Sequence, residues 1–200
     1  MARGGSLKAD PGFVSMFNGQ DLTGWSGSPD LWSVRDGAIV GQTTKEKPAL
    51  ENTFLIWTNG QPGDFEMRCS FKITANNNVG FANSGVQFRS RVVKPSYWVV
   101  AGYQADMEAS TNYTGGLYEE KGRGTLVDGW KGKAEKVVKL QDWNDYEILC
   151  DGDHIKLTLN GMVTADLHDS ARLEGIIAFQ LHRGPPMEVY FRNVRIKILK

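Results

Sequence analysis

The stretch H-I-K-L-T-L-N-G-M-V-T-A, residues 154–165, decides the fold class. Ile155, Leu157 and Leu159 alternate with His154, Lys156 and Thr158, the period of two that places one set of side chains on each face of a β-strand. Asn160-Gly161 follows at once. Both residues tolerate the positive φ of a type I′ turn, so the segment predicts a hairpin returning through Met162 to Ala165. Working outward, Asp36-Gly37 makes the same kind of turn between Trp32-Ser33-Val34 and Ala38-Ile39-Val40. Asn18-Gly19, Asn59-Gly60 and Asp151-Gly152 punctuate further short alternating runs, and Glu188 to Leu199 is rich in Val, Ile, Tyr and Phe. No window of ten or more residues carries a 3.6 period. The chain is therefore all-β with few short helices, a sandwich or a barrel. Residues 12–200 read as one domain, and residues 1–11 as a flexible N-terminus or a cloning remnant. One stretch, Ser110 to Lys136, breaks the pattern with six glycines among Tyr118, Glu119, Glu120, Arg123 and Trp130, and reads as a long functional connection.

Composition narrows the classes. The 200 residues carry 23 basic and 23 acidic side chains, so there is no basic excess for nucleic acid or an anionic membrane. No apolar run approaches the roughly 18 residues of a membrane-spanning helix. Met1 to Asp10 shows no apolar core of a secretory signal. Cys69 and Cys150 fall in phase with apolar faces and read as buried free thiols; a disulfide stays open if their strands are neighbours.

Four runs place polar, hydrogen-bonding side chains at i and i+2: Glu66/Arg68, Gln87/Arg89, Gln104/Asp106 and Gln180/His182. Each pair shares a face, while Met67, Phe88, Ala105 and Leu181 between them point to the core. A solvated sheet face is usually Thr, Ser and Lys, so these pairs read as the lining of a polar cleft. Glu66/Arg68 reads equally as an ion pair on an outer face.

Several fragments taken in order resemble a known family. They are G-F-V-S-M-F-N-G-Q-D-L-T-G-W (12–25), L-W-S-V-R-D-G-A-I-V-G (31–41), G-D-F-E-M-R (63–68), N-S-G-V-Q-F-R (83–89) and G-Y-Q-A-D-M (102–107). T-G-G-L-Y-E-E (114–120), W-N-D-Y (143–146), I-A-F-Q-L-H-R-G (177–184) and V-Y-F-R-N-V-R-I-K (189–197) complete the set. Together they resemble the 3-keto-disaccharide hydrolase domain family. The resemblance implies a concanavalin A-like jelly-roll sandwich of two antiparallel sheets with a carbohydrate cleft, a glycoside substrate oxidised to a ketone at C3, and a periplasmic or secreted setting. It also implies a link to a sugar 3-oxidoreductase that supplies the ketone. Many members have Tyr-Glu-x-Gln where this chain has Tyr103-Gln104-Ala105-Asp106, so a carboxylate role at the first position does not carry over to Gln104.

A C3 ketone acidifies the C2 hydrogen, and its removal lets the C1 substituent leave. The site then needs a base, a group for the enolate oxygen and an acid for the leaving oxygen. Asp106 is the first choice for base, with Glu119, Glu120 and Glu66 as rivals. Arg89 and His182 are the candidate partners of the enolate or leaving oxygen, and a divalent metal ion would serve equally well, although no ligand-spaced cluster is visible. Asn83, Gln87, Gln104 and Gln180 can bond sugar hydroxyls, and Trp98, Tyr103, Tyr118 and Trp130 can stack on a pyranose face, with Glu120 and Arg123 beside them. A non-catalytic carbohydrate-binding module on the same fold and an ordinary endo-glucanase are the competing readings.

Overall fold

A computed structural model describes residues 11–110 and 112–200. In chain order the strands are β1 (Val14–Ser15), β2 (Trp25–Ser26), β3 (Trp32–Arg35), β4 (Ala38–Thr43), β5 (Thr53–Trp57), β6 (Phe65–Ala75), β7 (Asn83–Lys94) and β8 (Val99–Glu108). They continue as β9 (Leu117–Glu120), β10 (Gly124–Val127), β11 (Asn144–Asp151), β12 (His154–Leu159), β13 (Met162–His168), β14 (Ile176–Leu181) and β15 (Met187–Ile198). Two 3-10 turns, Pro95–Tyr97 and Ala134–Lys136, are the helical elements among the described residues.

The strands form two antiparallel sheets. One runs β13-β12-β11-β6-β15-β4-β3, with β1 added on β15, and the other runs β10-β9-β8-β7-β14-β5-β2. The hairpin read from residues 154–165 is β12–β13, with Asn160 at φ 47° and Gly161 at φ 84°. Asp36 (φ 50°) and Gly37 (φ 71°) close β3 on β4 in the same way. The fold is the expected jelly-roll sandwich.

Met67, Phe88, Ala105 and Leu181 do face the core and are fully buried. Phe179 from the seven-stranded sheet stacks on Phe191 from the other at 3.8 Å between ring centroids, and on Trp25 at 5.0 Å. Cys69 and Cys150 lie on the adjacent strands β6 and β11. Cys69 pairs with Tyr146 and Cys150 with Phe65, so the two sulfurs sit four positions apart along the ladder and remain free, buried thiols. Desolvation pushes both up to about 12.

The Ser110–Lys136 stretch is not a single long connection. Its middle is the hairpin β9–β10, which extends the seven-stranded sheet at its edge. Gly129 serves close approach, since a Cβ there would lie 1.9 Å from the Gly115 carbonyl oxygen, whereas Gly124 and Gly132 supply positive φ, 79° and 76°. No helix among the described residues is long and apolar enough to cross a membrane.

Candidate functional site

On β8, Tyr103, Ala105 and Met107 enter the core, so Gln104, Asp106 and Glu108 stand on the opposite face of the seven-stranded sheet. Alternation on β9 puts Tyr118 and Glu120 on that face as well, and β14 contributes Gln180. Gln104, Asp106, Tyr118, Glu120 and Gln180 line a cleft of about 400 Å³ together with Asn83 and His182. Its remaining walls are Asn52, Phe81, Tyr113 and Thr125.

The floor is a hydrogen-bonded amide–carboxylate network. Gln104 Nε2 donates to Asp106 Oδ1 at 2.5 Å and to Gln180 Oε1 at 3.4 Å, and Gln180 Nε2 donates to Glu120 Oε2 at 3.4 Å. Asn52 Nδ2 donates to Glu120 Oε1 at 3.3 Å, while Asn52 Oδ1 takes the Arg183 N–H.

Asp106 is 5% exposed. Desolvation lifts its carboxyl to about 8; Gln104's hydrogen bond opposes the rise, and the neighbouring Glu120 and Glu108 add to it. Burial also raises Glu120 and the Tyr118 hydroxyl. His182 is lowered by burial, against the hydrogen bond its Nδ1 donates to the Arg183 carbonyl at 2.5 Å. Its ring meets Phe81 edge-on at 5.4 Å. With Nδ1 committed to a carbonyl, the neutral ring offers Nε2 as an acceptor.

Of the residues singled out from sequence, Asp106, His182, Asn83, Gln104, Tyr118, Glu120 and Gln180 meet in this cleft. Gln87 stands behind it, fully buried, donating to Gln104 Oε1 at 2.9 Å. The others do not reach it. Glu66 lies on the outer face of the eight-stranded sheet, ion-paired with Arg68 at 2.6 Å.

Arg89 was expected beside Gln87. A bulge between Phe88 and Arg91 inserts one residue, and Arg89 takes φ 44°, so the face reverses. Its fully buried guanidinium instead donates to the Gly63 carbonyl at 2.8 and 3.0 Å and pairs with Asp64 at 3.3 Å.

Glu119 points to the other side of β9 from Glu120. There it pairs with Arg123 and, at 3.3 Å, with Arg172. Burial would raise Glu119, but these hydrogen bonds outweigh it and hold the carboxylate low. Arg123 also bonds Asp169 at 2.7 Å, and Tyr103, an inward core residue rather than a sugar platform, donates its hydroxyl to Asp169 at 2.7 Å. Trp130 is half-buried against the main core. Trp98 caps a separate apolar patch of Phe54, Ile56, Val100, Ile176 and Ala178, its Nε1 donating to Ser26.

Asn52, Phe81, Tyr113 and Thr125 were not foreseen. The first three lie outside the strands, where no periodicity marks a direction, and only Thr125, on the short strand β10, had an alternation to read. Among the described residues, no group of three or more His, Cys, Asp or Glu side chains could hold a metal ion.

A two-sheet jelly roll with amides, carboxylates and aromatic rings gathered in a cleft on one sheet defines a protein of the carbohydrate-handling class. The chain belongs to the 3-keto-alpha-glucoside-1,2-lyase-like domain family, whose model matches residues 12–197.

Solved structures agree on the fold. A provisionally assigned glycosyl hydrolase from Parabacteroides distasonis is similar at 23% identity and a TM-score of 0.69, with 94% of each chain covered. The carbohydrate-binding module CBM66 from Bacillus subtilis is similar at 17% identity and a TM-score of 0.66, over 87% of this chain and 95% of that one. The alginate lyase A1-II′ shows 14% identity and a TM-score of 0.61, over 93% and 99%. At such identities the likeness shows the fold alone. No match was found among curated proteins.

Proposed function

We propose that the protein is a carbohydrate-active enzyme that cleaves 3-keto-glycosides by β-elimination across C1–C2, with hydration of the product completing a net hydrolysis. One observation carries the reading: a buried carboxylate, Asp106, whose proton affinity is raised to about 8, at the floor of a cleft otherwise lined by sugar-bonding amides and hydroxyls. A general base poised near the working pH takes a carbon-bound proton most effectively.

In this scheme ionised Asp106 removes the C2 proton, and the electron pair moves toward the C3 oxygen. Asn83 and Tyr118 donate hydrogen bonds to that oxygen or to neighbouring hydroxyls. The C1–O bond then breaks, its electron pair leaving with the oxygen as the C1=C2 bond forms. Water in the cleft protonates the departing oxygen, while the Glu120 carboxylate, held by Asn52 and Gln180, accepts a hydrogen bond from a sugar hydroxyl. His182 serves as an acceptor for a sugar hydroxyl through Nε2, not as a cation. Water adding to C1 of the enone gives the free 3-keto sugar. The ketone must come from a sugar 3-oxidoreductase, and a divalent ion assisting the enolate is tested by chelation.

The test is a 3-keto-glucoside with a chromogenic aglycone, run beside its unoxidised parent, with and without chelator. Aglycone release from the keto form alone, lost in Asp106→Asn, is the expected result. Chelator sensitivity would add a metal to the scheme. Binding of unoxidised oligosaccharide with no release from either substrate would sink the enzyme reading in favour of a binding module.

A further inference from the structure

Behind Asp106 lies a chain of buried polar side chains, Ser90, Gln87 and Gln104, of which Gln104 alone lines the cleft. Ser90 Oγ donates within reach of both Gln87 Oε1 (2.7 Å) and the Phe88 carbonyl (2.9 Å). Gln87 Nε2 donates to Gln104 Oε1 at 2.9 Å, and Gln104 Nε2 donates to Asp106 Oδ1 at 2.5 Å. Ser90, Gln87 and Gln104 are 2%, 0% and 2% exposed.

Two glycines wall the chain in. A Cβ on Gly85 would lie 2.4 Å from Gln104 Cγ, and one on Gly102 would lie 2.2 Å from Ser90 Oγ. The bulge that turns Arg89 away leaves Gln87 and Ser90 close enough to bond. An amide can present its oxygen or its N–H₂ to a neighbour, not both. With its oxygen occupied by Gln87, Gln104 has to turn its N–H₂ toward Asp106.

We infer that Gln87 and Ser90 are positioning residues for Asp106: acting through Gln104 they fix a donor on Oδ1 and leave Oδ2 as the atom that takes up and gives back the proton. The inference rests on the reading of Asp106 as the base. A single donor locked on one oxygen turns the carboxylate's other oxygen toward the cleft and keeps the ionised form accessible in a site that otherwise resists charge. The titratable groups facing Asp106 are Glu108 on its own strand, Glu120 and Tyr118 on β9, and Tyr146 across the core. None of them donates a hydrogen bond to its carboxylate; Tyr146 reaches the Asp106 backbone carbonyl at 3.1 Å.

The test uses Gln87→Met and Ser90→Ala in the full chain, with two readouts. The first is the Asp106 carboxyl titration followed by carbon-13 NMR without substrate; the second is the pH profile of kcat/KM on the keto substrate. Loss of the relay should raise the carboxyl titration by about half to one unit, and kcat/KM at pH 7 should fall about three- to tenfold and recover at high pH. Ser90→Ala adds no volume and keeps the test alive if Gln87→Met does not fold. Carboxyl titrations within about 0.2 unit of the parent in every variant that folds would overturn the relay. A titration that moves while the kcat/KM profile stays put would uphold the relay and remove Asp106 from the role of base.

Discussion

Replacing Asp106 with asparagine should make the protein more stable, and increasingly so as the pH rises. The carboxyl has a reference value of 3.8 and a folded value of about 8, raised mainly by desolvation. A group whose folded value is raised contributes stability that is fully present below the unfolded value and lost as pH climbs through the folded one. At ~1.4 kcal/mol per unit, the penalty at pH 7 is about 4 kcal/mol and levels off near 6 kcal/mol above pH 8, both upper figures. Asparagine keeps the shape and can accept the Gln104 hydrogen bond, yet carries no charge to desolvate. The assay is urea unfolding of both proteins at intervals from pH 4 to pH 9.5. The stability gap should be near zero at the acid end, widen through neutrality and flatten beyond pH 8, while activity on the keto substrate disappears. A gap that does not change with pH would refute the account of Asp106 as a carboxylate held in its neutral form by burial.

In the parent protein, kcat/KM should rise with pH through about 8 as Asp106 ionises; a profile falling across that range would make it an acid instead. Phe179→Ala empties a fully buried site between Trp25 and Phe191 and should cost about 3–5 kcal/mol in denaturant unfolding. Arg89→Leu should destabilise by roughly 2–4 kcal/mol, because it strips the donors from the Gly63 carbonyl and leaves Asp64 short of its partner. Its folded fraction should turn over at the parental rate, and a selective loss of kcat would return Arg89 to the chemistry. Glu66→Gln, on an outer face, should change stability by less than about 1 kcal/mol and leave turnover unaltered.

Alternation alone reached much of this architecture, because it records which way each side chain points. Ile155, Leu157 and Leu159 gave a strand and its buried face, and Gln104/Asp106 with Gln180/His182 gave true neighbours in the cleft. Alternation does not say which of two sheets a strand joins, so Glu66/Arg68 looked identical to Gln104/Asp106 yet stands on the far side of the molecule. It also assumes an unbroken phase. One inserted residue beside Arg89 carried the guanidinium from an expected place in the site to the carbonyl of Gly63. Tyr113, Phe81 and Asn52 arrive from loops, where position is set by tertiary packing and leaves no local mark.

The eight-stranded sheet has its last strand, β15, near its middle, between β6 and β4. Met187 there bonds a side chain 144 residues earlier in the chain. Until β15 inserts, β4 and β6 both present open edges, and the sheet cannot close by local steps. Folding should therefore be slow for a domain of this size, as expected when contacts are dominated by distant pairings. A chain stalled at that point would accept the same strand from a second copy, so exchange of β15 between molecules is the misassembly this topology favours.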